Sequence, residues 1–454
     1  MKQDYLEKMR KGEPLSFSHL LTMTIQLSIP TVLAQVSFIL MEYVDASMVG
    51  RLGASASAAI GLVSSTTWLF GGLISAVTVG FSVQTAHRIG AGEEEEARAA
   101  MRQGLRTALL ISLVMAGVGC AIYRQLPVWL GGESDVLKDA SLYFLIFALA
   151  IPFNQFNNFA AGMLQSSGNM KTPGILETLM CVINVGFNYL FIYICGLGVA
   201  GAALGTALAE AVTALPMGWF LLVKSPALHL RKGEPYRRSG ITMKKAVKIA
   251  WPVALEQVIM CSAYIMSTAI VAPLGTVSVA AHSLAITAES LCYMPGYGIA
   301  AAAATMIGQS IGAGRTDLTR RLGYIVTFFG MAVMGVSGAA MFALAPLMMR
   351  LLTPVAAVCE LGAAVLRIEV FAEPMYAASI VASGVFRGAG DTFVPSCMNL
   401  LSMWGIRIPL SAFLAVRMGL KGVWIAMCAE LCFRDVIFLV RLAVRQRKAI
   451  PDTV

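Results

Sequence analysis

The chain has 454 residues, 57% of them apolar and only 13% charged, with mean hydropathy +0.74 and a formal net charge of +9. A soluble domain carries about 25% charged residues, so this composition excludes an ordinary water-soluble enzyme and makes lipid the solvent. The positive charge invites a nucleic-acid reading, which its distribution along the chain removes.

Runs of the roughly 20 apolar residues needed to cross a bilayer recur twelve times. They lie near 17–44, 57–86, 103–125, 137–163, 173–195 and 199–223, then 245–272, 276–309, 321–347, 359–386, 393–416 and 420–442. Backbone groups in hydrocarbon must be satisfied within the segment, so these are helices, and no barrel-like alternation competes. The first run is too long for the apolar core of a cleavable signal and lacks a small-residue cleavage pattern. From a cytoplasmic start, inside segments collect Lys8, Arg10 and Lys11, then Arg88, Arg98, Arg102 and Arg106, then the basic run from Lys224 to Lys248. Outside loops keep only Arg51, Arg124, Lys138, Arg350, Arg417 and Lys421. That bias sets both termini in the cytoplasm of a multi-pass cell-membrane protein. The basic charge is therefore topological, and no nucleic-acid partner is expected.

The polar, Pro- and Gly-bearing stretch 224–245 divides the chain into an N-lobe, 1–223, and a C-lobe, 246–454, the latter ending in a short basic tail. The lobes repeat one unit. Pro30 recurs as Pro252, and 252 − 30 = 222; the same offset carries Ile89-Gly90-Ala91-Gly92 to Ile311-Gly312-Ala313-Gly314, Gly162 to Gly384 and Gly168 to Gly390. An even number of spans per copy makes the repeats parallel. The expected fold is an all-α polytopic membrane protein of twelve transmembrane helices in two parallel-repeat six-helix lobes. A duplicated membrane unit suggests a pathway between its halves. Nine single cysteines and four scattered histidines support neither a disulfide framework nor a zinc site, and no cofactor loop is present.

Intramembrane ionisable groups cost roughly 2.5–3.5 kcal/mol each at a helix centre, so each needs a reason. The deepest acids are Glu42, Asp45, Glu177, Glu210, Glu256, Glu289, Glu369, Glu373 and Glu430, against Arg367, Arg407 and Arg434. Asp45 follows Glu42 by three residues, on one helix face; it is either a cation site or a carboxylate near the helix end served by Arg51. Asn184 and Asn188 are i,i+4 neighbours and serve as interhelical glue or, with a carboxylate and the Thr206 hydroxyl, as a hard-cation shell. Asn154 opens a polar cluster after Pro152 that could line a wet cavity. Glu256, Met260 and Tyr264 form an i, i+4, i+8 stripe that suits a cationic amphiphile or, alternatively, packs with Glu256 paired to a distant Arg. Glu430 and Arg434 read as a structural ion pair.

The proline early in span one, Val44-Asp45 followed by Val49-Gly50-Arg51-Leu52-Gly53, Val271-Ala272-Pro273-Leu274-Gly275 leading into Ala280-Ala281-His282, the Ile-Gly-Ala-Gly turns and Gly390-Asp391-Thr392 resemble the MATE (multidrug and toxic compound extrusion) transporters over nearly the whole chain. The resemblance implies a transporter rather than an enzyme, alternating between inward-open and outward-open states. It implies export of organic cations, drugs or other amphiphiles in exchange for H⁺ or Na⁺. It implies that Asp45, Asn184, Asn188 and Thr206 form the ion-coupling site, which would also hold Na⁺ were sodium the driver. One branch of the family has Asp where this chain has Asn188, which leaves the ion open. Glu256 falls on a C-lobe acid of the family. Alignment on Arg387 places Tyr376 where some sodium-coupled members carry another acid. Gln35, Asn154, Glu256, Met260, Tyr264 and Tyr376 are the expected substrate contacts. The protein is expected to work as a monomer in the lipid bilayer. The rivals are a lipid-linked saccharide flippase of the same superfamily, for which the excess of intramembrane acids is the wrong sign, and a membrane-embedded enzyme, for which no convergent catalytic set is present.

Overall fold

The computed structural model describes residues 5–231, 234 and 239–447. Part of the expected basic linker (232, 233 and 235–238) and the basic tail beyond Arg447 lie outside the described residues. Among the described residues every regular element is helical. The order is α1 (Tyr5–Arg10), α2 (Phe17–Gly50), α3 (Ala54–Gly90), α4 (Glu94–Ile122), α5 (Leu126–Trp129), α6 (Leu137–Ser166), α7 (Lys171–Tyr189) and α8 (Gly198–Trp219). The second half has α9 (Gly240–Val271), α10 (Thr276–Gly312), α11 (Thr316–Leu352), α12 (Ala356–Glu369), α13 (Glu373–Gly388), α14 (Phe393–Ser402), α15 (Ile408–Met418) and α16 (Leu420–Arg447). Three π-helical turns, Leu190–Ile194, Phe220–Lys224 and Met403–Arg407, extend α7, extend α8 and join α14 to α15.

Ten of these helices, counting α14–α15 as one, are long and apolar enough to cross a membrane. The other two expected spans are helical as well, each with a physical reason for standing apart. Residues 359–386 fall on α12 and α13, which are interrupted at Val370–Ala372 before Pro374 in the first turn of α13. Residues 420–442 fall in α16, which carries Glu430, Arg434, Asp435 and Arg441. Large exposed side chains such as Leu110, Leu113 and Val114 on α4, and Val336, Leu347 and Leu351 on α11, give those helices the apolar outer face that lipid requires.

The internal repeat is a repeat of backbone conformation. Gly53, Gly92 and Gly168 have φ of 121°, 79° and 92°, and their mates Gly275, Gly314 and Gly390 have φ of 96°, 68° and 77°. These left-handed conformations end one helix and aim the next, and only glycine adopts them without a Cβ penalty. The hydrogen bonds recur too: Gly92 N–H donates to Ile89 and Glu93 N–H to Arg88, as Gly314 donates to Ile311 and Arg315 to Ser310.

The helices group into two compact units, Met1–Gln35 with Leu255–Val454, and Val36–Ala254. The divisions fall inside α2 and α9. In the Val36–Ala254 unit, Phe81, Met101, Phe159, Met163, Leu164 and Met217 form the main apolar core, joined by Leu228 of the linker and Ala246 of α9. Arg98, 3% exposed, bonds Glu234 at 2.9 Å and the Ala227 carbonyl at 3.1 Å, and Arg102 also grips the Glu234 carboxylate. These bonds to Arg98, with the Arg98, Arg102 and Arg231 charges, hold the Glu234 carboxyl below its ordinary range. In the other unit, Val271, Met341, Met349, Leu366 and Trp424 form the core, and the Thr31 hydroxyl of α2 donates to the Gly298 carbonyl of α10 at 2.8 Å.

Candidate functional site

Within the Val36–Ala254 unit the structure brings Asp45, Asn188, Asn184 and Thr206 into one hydrogen-bonded chain. Asn188 Nδ2 donates to Asp45 Oδ1 at 2.7 Å and to Asn184 Oδ1 at 3.1 Å; Asn184 Nδ2 donates to Thr206 Oγ1 at 2.9 Å. The Thr206 hydroxyl closes the chain on the Ala202 carbonyl at 3.2 Å. Both asparagines are fully buried, and Asn188 Oδ1 has no hydrogen-bond partner among the described residues. Local sequence explains the approach. Gly205 stands where α7 meets α8, and a Cβ there would lie 1.9 Å from Asn188 Oδ1. The four residues supply only oxygen and amide groups around one carboxylate, a set suited to a proton or a hard monovalent cation. Asp45, half-buried near the end of α2, takes its hydrogen bond from Asn188.

Asn154 does not join that chain. Its Nδ2 donates to Glu210 Oε1 at 2.5 Å, and Asn157 Nδ2 donates to the Glu210 carbonyl at 2.6 Å. Gln35, half-buried on α2, is the last residue before the division between the two units.

In the other unit Glu256 accepts from Ser396 Oγ at 2.7 Å and from Asn399 Nδ2 at 2.6 Å, with the Arg387 guanidinium 3.9 Å away. Sequence reasoning offered a distant Arg as one alternative; it did not find Ser396 and Asn399, which are 140 and 143 residues away in the chain and leave no local signal. Met260 is half-buried and Tyr264 exposed along the same helix. Tyr376 lies in an aromatic and ionic group: its ring meets that of Tyr293 edge-on, 5.7 Å between centroids, and the Arg434 guanidinium lies over it at 5.3 Å. Arg434 approaches Glu430 at 3.6 Å, Glu430 accepts from Ser402 at 2.5 Å, and Asp435 accepts the Ser379 N–H at 3.2 Å. Glu369 is fully buried nearby, with both carboxylate oxygens lacking a hydrogen-bond partner among the described residues.

The family model MatE matches the chain twice, over residues 30–190 and 252–413. The two matches begin 222 residues apart (252 − 30), the offset of the internal repeat. The chain is 26% identical over 427 residues to a probable multidrug resistance protein NorM of Thermotoga maritima, covering 91% of this chain and 90% of the relative. It is 27% identical over 439 residues to the multidrug resistance protein NorM of Burkholderia vietnamiensis, covering 92% of each. Among solved structures, a MATE protein in the straight conformation superposes with a TM-score of 0.91 at 21% identity, over 99% of both chains. A MOP superfamily transporter from Pyrococcus furiosus, described by the reverse polarity of its binding pocket, matches with the same score at 20% identity.

Proposed function

The chain belongs to the MatE family of membrane transporters, both of its halves matching the family model, and from that premise we propose that it is a secondary antiporter. It exports organic cations, drugs or other amphiphilic compounds in exchange for H⁺ or Na⁺ by alternating access. The multidrug resistance NorM relatives support the substrate class. The hydrogen-bonded chain from Asp45 through Asn188 and Asn184 to Thr206 carries the mechanism.

The coupling cation binds at Asp45. With Asn188 Nδ2 turned toward the carboxylate, the site as it stands suits a proton; Na⁺ requires the Asn188 amide to present its oxygen instead. Occupancy by the cation favours one conformation and occupancy by substrate the other, and that differential affinity is the coupling. One charge moving through 100 mV releases roughly 2.3 kcal/mol, about a fiftyfold gradient when 1.4 kcal/mol is tenfold. A single imported cation therefore suffices to export a neutral compound. Against a monovalent cationic substrate the exchange is electroneutral, and only the chemical gradient drives it. Glu256 is the acidic contact of the second unit. Because two donors and Arg387 already surround it, its part is to exchange those partners for substrate rather than to wait as a free anion.

The test is efflux of ethidium from proteoliposomes under separately imposed pH and Na⁺ gradients. One gradient should drive efflux in the wild type, and Asp45→Asn should abolish the driven component while the protein still inserts. Driven efflux that survives Asp45→Asn undiminished overturns the reading.

A further inference from the structure

Arg387 stands beside Glu256 with its hydrogen-bond donors unspent. Its helix, α13, is packed deep in its unit: Gly384 and Gly388 abut the α10 backbone at Ala300 and Ala304, and from Ala377 to Ala389 every residue is buried except Arg387. The Arg387 side chain is 32% exposed. Its neighbours one turn back on the same face, Ser383 and Gly384, are buried, so no lipid-facing stripe runs through it. The guanidinium instead lies toward Glu256 of α9, whose carboxylate Ser396 and Asn399 of α14 hold from another side.

Two carboxylates are near enough to pair with Arg387, and it closes on neither. Glu256 is 3.9 Å from the guanidinium, beyond the roughly 2.7–2.9 Å of a direct charge-assisted bond, and accepts from two neutral donors, Ser396 at 2.7 Å and Asn399 at 2.6 Å. Asp391, one turn beyond Arg387, is held by Arg441 and by Arg445 at 2.8 Å. The Arg387 guanidinium makes no hydrogen bond among the described residues, which leaves its planar fork of N–H groups for another acceptor. A purely structural ion pair recovers its desolvation cost only by closing, and this one stays open. The arrangement also selects among ligands. A simple cation drawn to Glu256 meets the Arg387 charge beside it, a like-charge contact that costs affinity. A ligand that brings an anion of its own turns that contact into a bidentate bond.

We propose that Arg387 is a specificity-determining residue of the second unit: it binds the carboxylate of a zwitterionic amphiphile whose cationic end takes Glu256 in place of Ser396 and Asn399. The proposal rests on Glu256 being the acidic substrate contact.

Fluorescence polarisation of two dyes on the full-length protein in detergent tests it without any ion gradient. Rhodamine B is a zwitterion with a free carboxylate, and its methyl ester is a cation of nearly the same shape. The wild type should bind rhodamine B about tenfold more tightly than the ester, the scale of one charge-assisted hydrogen bond. Arg387→Gln should erase that preference by weakening rhodamine B about tenfold, while the ester binds as well as before or better, which also shows the fold intact. Arg387→Lys should leave the ester unchanged and keep part of the preference. Equal wild-type affinities for the two dyes overturn the proposal, as does an Arg387→Gln protein in which both weaken by the same factor. Glu256→Gln should weaken both dyes; if it weakens neither, the Glu256 substrate contact itself falls, whatever Arg387 does.

Discussion

Gly205 is as decisive for the Asp45 site as the polar residues that compose it. A methyl group there would meet Asn188 at its side-chain oxygen and, at 2.9 Å, at its backbone nitrogen, so the helix itself must move. Gly205→Ala should lower stability by roughly 1–3 kcal/mol, the usual scale of overpacking. Thermal unfolding in detergent would register that loss, and driven efflux should fall with it. Glu234 gives a pH-dependent prediction outside the membrane. Its carboxyl is held below the ordinary range, so its contribution to linker docking is complete above that range, about pH 4.3, and is lost as pH falls through the lowered value. Hydrogen exchange of residues 225–231 should therefore stay slow at neutral pH and rise only in strong acid, whereas Glu234→Gln should exchange fast at every pH. Asp45, Asn184, Asn188 and Thr206 were legible as a group because spacing and family resemblance both selected them. Gly205 was not, because a glycine inside an apolar helix carries no mark of what presses on it.

At the scale of elements, the repeat extends to how helices touch. Gly162 of α6 faces Thr78 of α3, and 222 residues later Gly384 of α13 faces Ala300 of α10. The contacts differ in what could yield. A Cβ on Gly162 would meet the Thr78 methyl at 2.5 Å, a group that rotates, whereas one on Gly384 would meet the Ala300 carbonyl oxygen at 2.4 Å, which is backbone. Gly384→Ala should therefore unfold at a lower temperature than Gly162→Ala, even though the two positions are equivalent in the repeat. The helices themselves were legible from apolar run length, and their ends from the Ile-Gly-Ala-Gly turns. The three π-helical turns were not: adding one residue to a turn changes neither the hydropathy nor the periodicity of a segment as short as Leu190–Ile194. The break between α12 and α13 had a visible cause in Pro374, yet the apolar run passes straight over it.

For the whole molecule, twelve spans and the parallel repeat were legible because lipid leaves so few alternatives to the helix. The sequence divides the chain at the polar linker, whereas the packing divides α2 after Gln35 and α9 after Ala254, at places no local signal marks. That difference follows from contacts such as Thr31 with Gly298, made between residues 267 apart in the chain. The charge bias also predicts sidedness. A variant retaining only the exposed Cys195, between α7 and α8, should react with a membrane-impermeant maleimide from outside the cell. A cysteine-free variant with Lys224→Cys should react only from the cytoplasm. The opposite pattern would invert the topology.

The divided α2 also sets the order in which the protein can be made. Val36–Ala254 is continuous in sequence, so that unit has all of its residues once residue 254 leaves the ribosome. Gln35 and the residues before it must wait for the chain from Leu255 onward, a delay of 220 residues (255 − 35). At 5–20 residues per second this is roughly 11–44 s. Through that interval, and until residue 298 is made, Thr31 lacks its Gly298 acceptor, so the first part of α2 waits as a stretch whose final neighbours do not yet exist.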